Sequence, residues 1–152
     1  MVITGLDPQQ LAALRRDLVD HGGNSVEPFI DDAGGWPLRC CLRDSHAGDR
    51  LAIVAWNPFP WAGPYAETGP IVIHVDDCDV EHRTVVPEQF HVRRQLVRPY
   101  ARDHRIAYDL TSIVEADGTL DAVLADLLER DDVERVVVRN VMAGCYSFTA
   151  TR

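Results

Sequence analysis

The side chains best suited to chemistry in this sequence are one thiol and three guanidinium groups. Cys145 could act as a nucleophile or proton carrier, because a thiol surrounded by arginines ionises more easily. Arg39, Arg98 and Arg139 come from three separate segments of the chain. Guanidinium groups hold carboxylate or phosphate through two parallel hydrogen bonds. If these segments lie side by side, the residues predict a pocket for an anionic small molecule.

Further polar residues would complete this pocket. Tyr65 would supply a hydroxyl group, and His74 or His91 is the candidate general base. The expected catalytic residues are Cys145, His74 and Tyr65. The expected ligand-binding residues are Arg39, Arg98, Tyr100, Arg139 and Asn140. The alternative for the arginines is structural, since each could pair with one of the 24 acidic residues.

The cysteines and histidines do not have the spacing of a usual metal site. Cys40 and Cys41 are adjacent, and consecutive side chains of a strand face opposite ways. His74 and Cys78 have an HxxxC spacing, with His82 beyond them, but a second closely spaced pair is missing. A metal would therefore need a distant cysteine, and we expect neither a metal nor a cofactor. The alternative for His74 is a hydrogen-bonded core histidine.

A different class of function is indicated by the stretch from residue 58 to residue 65. Phe59, Trp61 and Tyr65 lie among several prolines, which forbid a regular element there. Exposed aromatic side chains are typical anchors of protein interfaces. The alternative to an anion site is therefore a non-catalytic interaction module that uses this loop, and it could act as a homodimer.

Composition narrows the choice of partners. The net charge of −9 argues against nucleic acid and anionic membrane surfaces. The chain contains no lysine, which excludes a lysine Schiff base and a Walker-type phosphate site. Neither an apolar run long enough to span a bilayer nor a secretory signal is visible, so we expect a cytoplasmic protein with reduced thiols. An unusual small enzyme of a biosynthetic pathway fits these limits.

The elements that must position these residues follow from periodicity. Asp7-Pro8 predicts the start of a helix with Leu11, Leu14 and Leu18 on its apolar face, ended by His21-Gly22-Gly23. A second helix is predicted from about Thr119, with a stripe of leucines and Val123. Predicted strands cover residues 37–42, 51–56, 71–75, 92–100 and 105–114. The first two are expected to form a hairpin, and Pro99 limits the fourth to an edge or an end.

The end of the chain predicts a hairpin that carries polar residues at its turn. Val136, Val137 and Val138 indicate a buried strand, and Arg139-Asn140 ends it. Residues 141–144 form the turn before a returning strand. With short links between sequential strands, the pattern predicts an α+β fold of one domain over residues 1–152. A mainly antiparallel sheet would have about two helices packed on it.

Four ordered motifs resemble domain-of-unknown-function family 1203, an uncharacterised family. They are Pro37-Leu38-Arg39-Cys40-Cys41-Leu42-Arg43-Asp44 with Gly48, Pro64-Tyr65-Ala66-Glu67-Thr68-Gly69-Pro70-Ile71-Val72, Arg98-Pro99-Tyr100, and Arg139-Asn140 with Gly144-Cys145 and Arg152. Together they span residues 37–152. The family pattern often has a cysteine after the first proline, where Leu38 stands here. The resemblance implies no activity, but it directs attention to Arg39, Asp44, Tyr65, Arg98, Tyr100, Arg139, Asn140 and Cys145.

Overall fold

The computed structural model describes residues 1–79 and 82–152 and confirms an α+β fold, mostly of antiparallel sheet. The strands in this part of the chain are β1 (Val2–Thr4), β2 (Phe29–Ile30), β3 (Arg50–Trp56), β4 (Gly69–His74), β5 (Gln95–Tyr100), β6 (Ser112–Val114), β7 (Arg135–Asn140) and β8 (Tyr146–Thr151). The α-helices are α1 (Pro8–Asp17), α2 (Glu88–His91) and α3 (Leu120–Glu129).

The chain divides into two compact units. The five-stranded unit comprises Met1–Thr4 and the chain from His82 to Arg152, and the three-stranded unit comprises the chain from Gly5 to Asp79. The sequence prediction of a single domain over residues 1–152 stays a prediction.

The five-stranded unit is an antiparallel sheet in the order β1-β8-β7-β5-β6. The predicted C-terminal hairpin is confirmed, because β7 pairs with β8. On one face of the sheet, α3 packs over β5 and β7 and contributes Leu120, Leu124 and Leu128 to the core. Phe90 of α2 meets Phe148 edge to face, with ring centroids 4.9 Å apart.

The three-stranded unit is built on the antiparallel sheet β2-β3-β4. The predicted first helix is confirmed, since Asp7 Oδ1 accepts a hydrogen bond of 2.8 Å from the backbone N–H of Gln10. The helix ends earlier than predicted, with Leu18 in the left-handed conformation. Asp20 explains the early end, because its carboxylate accepts the N–H groups of Gly22, Asn24 and Ala55 and stabilises a turn instead.

Two strand predictions are wrong in detail, and a third is confirmed in part. Residues 39–43 form a bend rather than a strand, and β3 pairs with β2 and β4 instead. β5 lies inside the sheet rather than at its edge, but Pro99 is near its end, as predicted, because β6 pairs only with Gln95–Val97. Tyr108–Leu110 is a short 3₁₀ helix, so only Ser112–Val114 of that segment is a strand.

Helices in the described part of the chain are all too short, or too polar, to cross a lipid bilayer.

Candidate metal centre

Four potential metal ligands converge in the three-stranded unit. Cys40 and Cys41 lie in the bend, His74 is the last residue of β4, and Cys78 follows four residues later. Their ligand atoms all lie within 4.8 Å of one another. The two cysteines of the bend and His74 are buried, and Cys78 is half-buried. The arrangement has the donor set of a Cys₃His centre.

The bend explains why adjacent cysteines can face the same ligand. Its ends are joined by a bridge between Pro37 and Asp44 and by a 2.9 Å hydrogen bond from the N–H of Leu38 to the carbonyl of Arg43. Leu42 has a positive φ of 54°. This backbone does not alternate its side chains as a strand does. The strand geometry that argued against Cys40 and Cys41 as joint ligands is therefore absent.

Backbone contacts fasten the bend to β4. Leu38 forms a parallel bridge with Val72, and the N–H of Arg39 donates a 3.0 Å hydrogen bond to the carbonyl of Val72. Two residues farther along β4, the N–H of His74 donates to Cys40 Sγ over 3.3 Å. A backbone donor of this kind stabilises negative charge on the sulfur. The register between the bend and the strand thus places the thiols beside the imidazole.

The His74 ring presents different atoms to two sets of partners. Its Nδ1 lies 3.8 Å from Cys40 Sγ and 3.7 Å from Cys41 Sγ. Its Nε2 lies 3.0 Å from Asp49 Oδ2 and 3.2 Å from an Arg43 guanidinium nitrogen. Arg43 can only donate, so it favours an unprotonated Nε2, whereas Asp49 favours a protonated one. A metal on Nδ1 requires the proton on Nε2 and therefore selects the hydrogen bond to Asp49.

Asp49 is held as a carboxylate by its neighbours. The backbone N–H of His46 donates to its Oδ2 over 2.9 Å, and Arg43 lies 3.5 Å away. The hydrogen bond from His46 and then that from His74 lower the pKa of Asp49 to about 2. A carboxylate behind the distal nitrogen of a ligating histidine is a common support of zinc sites, because it fixes the ring and its tautomer.

Arg15 of α1 supports the other side of the cluster. Its NH2 group donates to Cys78 Sγ over 3.1 Å, and the same guanidinium donates to the carbonyl of His74. Hydrogen bonds from the Cys40 and Cys41 thiols, together with Arg15, hold the pKa of Cys78 below its ordinary value. The pKa of Cys40 is raised, first by hydrogen bonding with its two thiol neighbours and then by burial.

The two distances between the His74 Nδ1 atom and the sulfurs of the bend fit a tetrahedral ion. Bonds of roughly 2.3 Å to sulfur and 2.0 Å to nitrogen place the two atoms about 3.5 Å apart in a tetrahedral site. The observed separations of 3.7 and 3.8 Å between Nδ1 and the bend sulfurs are close to this value. Three thiolates and one imidazole favour Zn²⁺ over harder cations such as Mg²⁺ or Ca²⁺.

The predicted anion-site residues are divided between the two units. His74, Tyr65 and Arg39 lie in the three-stranded unit, whereas Cys145, Tyr100, Asn140 and the arginines 98 and 139 lie in the five-stranded unit. Arg39 is 2% exposed, and its guanidinium donates to the carbonyl of Pro37. The backbone N–H of Arg39 also holds the bend. Arg39 therefore supports the bend that carries two of the potential metal ligands.

Arg139, Asn140 and Cys145 do lie together at the turn between β7 and β8. The N–H of Asn140 donates to the carbonyl of Cys145 over 3.0 Å, and Arg139 NH1 donates to the carbonyl of Gly144 over 3.0 Å. Asn140 Oδ1 accepts two backbone N–H groups of the turn. These hydrogen bonds stabilise the hairpin turn, so this cluster has a structural role.

The sheet register places three of the predicted ligand-binding residues on one face. In the pairing of β5 with β7, Leu96 lies opposite Arg139, Arg98 opposite Val137, and Tyr100 opposite Arg135. Residues that pair across a sheet, and those two positions apart on a strand, share a face. Arg98, Tyr100 and Arg139 therefore face the same way, and so does Arg135, which pairs with Tyr100 at the opposite end of β7 from Arg139. His91, the alternative base, lies in the same unit with its Nε2 2.9 Å from Asp121.

The aromatic side chains of the loop at residues 58–65 are partly or wholly covered. Phe59 is 7% exposed, and its ring centroid lies 5.0 Å from that of Trp61. Trp61 and Tyr65 are themselves partly covered. The interaction module stays a prediction.

Two supporting residues of the metal centre are missing from the sequence predictions. Asp49 and Arg15 carry no motif that links them to His74 or Cys78. The HxxxC spacing identified one half of the ligand set. The other half, Cys40 and Cys41, was visible only as an adjacent cysteine pair. His82 is not part of the cluster, because its Nδ1 lies 3.3 Å from the Thr4 hydroxyl.

Comparison with known proteins identifies a family without an assigned activity. The chain has no match among curated proteins or among solved structures. A family model described as a protein of unknown function (DUF1203) matches residues 35–152, a span that includes all four potential metal ligands. Because this match covers most of the chain, the protein belongs to the DUF1203 family, as its motifs indicated.

Proposed function

We propose that the protein binds one Zn²⁺ ion through Cys40, Cys41, His74 and Cys78. The observation that carries the proposal is the orientation of His74. Its Nδ1 faces the thiols while Asp49 holds the opposite nitrogen. A buried histidine that served only packing would not need three cysteine sulfurs within 4.8 Å of its ring nitrogen.

The proposed role of the ion is structural. Four protein ligands fill a tetrahedral site and leave no position for a substrate or an attacking water, whereas catalytic zinc keeps one position open. The ion would join the bend to the end of β4 and to the segment that carries Cys78. Thiolate ligands must stay reduced, so a reducing cytoplasmic location is part of this proposal.

Metal analysis of the purified chain tests the proposal directly. Protein purified under reducing conditions without chelators should contain about one zinc per chain by elemental mass spectrometry. Replacement by Co²⁺ should give thiolate-to-metal charge-transfer bands and the strong visible bands of a tetrahedral ion. A chain that binds neither ion when reduced would contradict the proposal.

The fourth cysteine provides a matched control. Cys145 lies in the five-stranded unit, outside the ligand set. Cys78→Ser should weaken zinc binding and change the cobalt spectrum, whereas Cys145→Ser should leave both unchanged. Equal behaviour of the two variants would indicate that zinc binds through nonspecific thiol contacts.

A second candidate function is binding of an anionic small molecule by the five-stranded unit. The support is the shared face of Arg98, Tyr100 and Arg139, with Cys145 at the adjoining turn. In this proposal the arginines bind a carboxylate or phosphate, and Cys145 is a nucleophile or proton carrier. Tyr65, Arg39 and His74, which belong to the other unit, have less support as members of this site.

Thiol reactivity of Cys145 tests this second candidate. Its rate of alkylation should be measured against pH, with and without millimolar phosphate or carboxylate metabolites. The same measurements should be made on the unaltered chain and on the Arg98→Gln variant. Rapid modification that an anion blocks only when Arg98 is present would support the site. A Cys145 thiol indifferent to every anion would remove it.

A further inference from the structure

We propose that the metal centre is also a thiol switch, in which a hydroperoxide oxidises Cys78 and the ion is released. This inference rests on the proposed zinc binding. Cys78 would be the oxidised residue, and either Cys40 or Cys41 would complete a disulfide with it.

Access distinguishes Cys78 from the other ligands. Cys40 and Cys41 are 1% and 5% exposed, whereas Cys78 is only half-buried. Cys78 belongs to the segment after β4, where the neighbouring Asp77 side chain is fully exposed. A small oxidant from solvent therefore reaches Cys78 before it reaches the two thiols of the bend.

Arg15 prepares Cys78 for this attack. The guanidinium donates to Cys78 Sγ over 3.1 Å and also lies 3.6 Å from Asp77. Metal coordination keeps the sulfur as a thiolate, which is the form that reacts with peroxides. As negative charge moves from sulfur to the departing oxygen, the adjacent guanidinium can stabilise it. The accessible sulfur is thus also the one that a cation contacts.

Geometry decides which disulfide can form. Adjacent Cα atoms are about 3.8 Å apart across a trans peptide, which is shorter than the usual Cα separation of a disulfide, about 4.4 to 6.8 Å. A bond between Cys40 and Cys41 is therefore disfavoured. Cys78 Sγ lies within 4.8 Å of both bend sulfurs, so a rotation of its side chain brings it within bonding reach. Cys78 is consequently a partner in the disulfide that the site favours.

The chemistry balances with hydrogen peroxide as the oxidant. The Cys78 thiolate attacks one peroxide oxygen, the O–O bond breaks, and a sulfenic acid and hydroxide form. A bend thiolate then attacks the Cys78 sulfur, the S–S bond forms, and a second hydroxide leaves. Two protons convert the hydroxides to water. Two thiolates lose two electrons in total, and the ion loses two of its four ligands.

The experiment treats the zinc-loaded full-length chain with hydrogen peroxide. Zinc release is followed with a colorimetric chelator, and disulfides are mapped by mass spectrometry after alkylation. We expect one zinc released for each disulfide that contains Cys78, and a reducing agent with zinc should restore the starting state. The switch would be overturned if zinc left without a disulfide at Cys78. It would also be overturned if zinc stayed bound after Cys78 had formed a disulfide with Cys40 or Cys41.

Two variants keep the test decisive. Compared at equal zinc loading, Arg15→Gln should release zinc several-fold more slowly under peroxide than the unaltered chain, while Arg16→Gln, at an exposed position that pairs with Asp17, should release it at the unaltered rate. An unchanged rate in Arg15→Gln would contradict the role given to Arg15. If the untreated protein binds no zinc, the metal proposal has failed. Disulfide mapping of that metal-free chain still decides whether Cys78 couples to the bend.

Discussion

His74 ties the thiols to the rest of the three-stranded unit through its two ring nitrogens. Nδ1 faces the sulfurs, and Nε2 meets Asp49, which is itself held by the backbone of His46. In the proposed zinc site, Asp49 therefore supports the ion through the His74 ring rather than by ligation. Supporting carboxylates of this kind typically change metal affinity 10- to 100-fold.

We predict that Asp49→Asn weakens zinc binding by roughly 10- to 100-fold without changing the ligand set. Competition with a chelator of known affinity measures the loss, and the cobalt spectrum reports whether the site stays tetrahedral. Asp76→Asn is the control, because Asp76 pairs with Arg50 at an exposed position. Equal loss in both variants would assign the effect to net charge rather than to the support of His74.

The depressed pKa of Asp49 predicts a defined acid sensitivity. Its pKa of about 2 lies below the ordinary value of about 3.9, so the folded state binds fewer protons than the unfolded chain in this range. The contribution of the carboxylate to stability is complete above pH 4 and disappears as the pH falls through 2. Thermal unfolding of the metal-free protein between pH 5 and pH 2 should show this loss, and Asp49→Asn should flatten it. An unchanged slope in the variant would contradict the assignment.

At the scale of elements, the bend at residues 39–43 decides whether the site exists. It is fastened to β4 by the backbone of Arg39, and Gly5 lies against the carbonyl oxygen of the same residue. A Cβ atom at Gly5 would overlap that oxygen. The bend is therefore positioned from both sides by backbone contacts.

We predict that Gly5→Ala displaces the bend and lowers both zinc affinity and the melting temperature. Gly69→Ala in β4 is the matched control, since open space surrounds the position where its Cβ would lie. Differential scanning fluorimetry and zinc titration measure the two effects. A Gly5→Ala protein that matches Gly69→Ala in both would show that the bend accommodates the added methyl group.

The bend also shows where prediction from sequence fails. The β-branched run Val136–Val138 and the Asp7-Pro8 start indicate their elements locally, and the structure has them at those places. Residues 37–42 instead have the composition of a strand, and a leucine with a φ of 54° has no local signal. The error removed Cys40 and Cys41 from the ligand set, because alternation applies only to extended backbone.

At the scale of the whole chain, the potential ligands and the predicted anion-binding arginines belong to different compact units. All four ligands lie in the three-stranded unit. The paired strands of the five-stranded unit were predictable in part from local patterns. The convergence of residues 40 and 41 with residues 74 and 78 depends on how the bend pairs with β4. The periodicity of apolar residues along the sequence does not give such long-range pairing.

We predict that zinc removal loosens the chain unevenly. Hydrogen exchange should increase most in residues 37–49 and 72–79, because the ligands and Asp49 connect these segments. The amides of β7 and β8 should change least, because these strands pair with each other and most of their side chains are buried. Exchange that rises uniformly over both regions would show that the ion stabilises the chain as one cooperative structure.

The sequence distance between the two halves of the ligand set has a consequence for the unfolded chain. Cys41 and His74 are 33 residues apart, so an ion that joins them closes a loop of that size. In a chain-entropy treatment of cross-links, a loop of this length lowers the conformational entropy of the denatured ensemble by the equivalent of about 3 to 4 kcal/mol at 25 °C. Zinc retained by the thiolates in urea would therefore leave a more compact denatured chain, and the denaturant dependence of unfolding would be shallower than that of the metal-free protein.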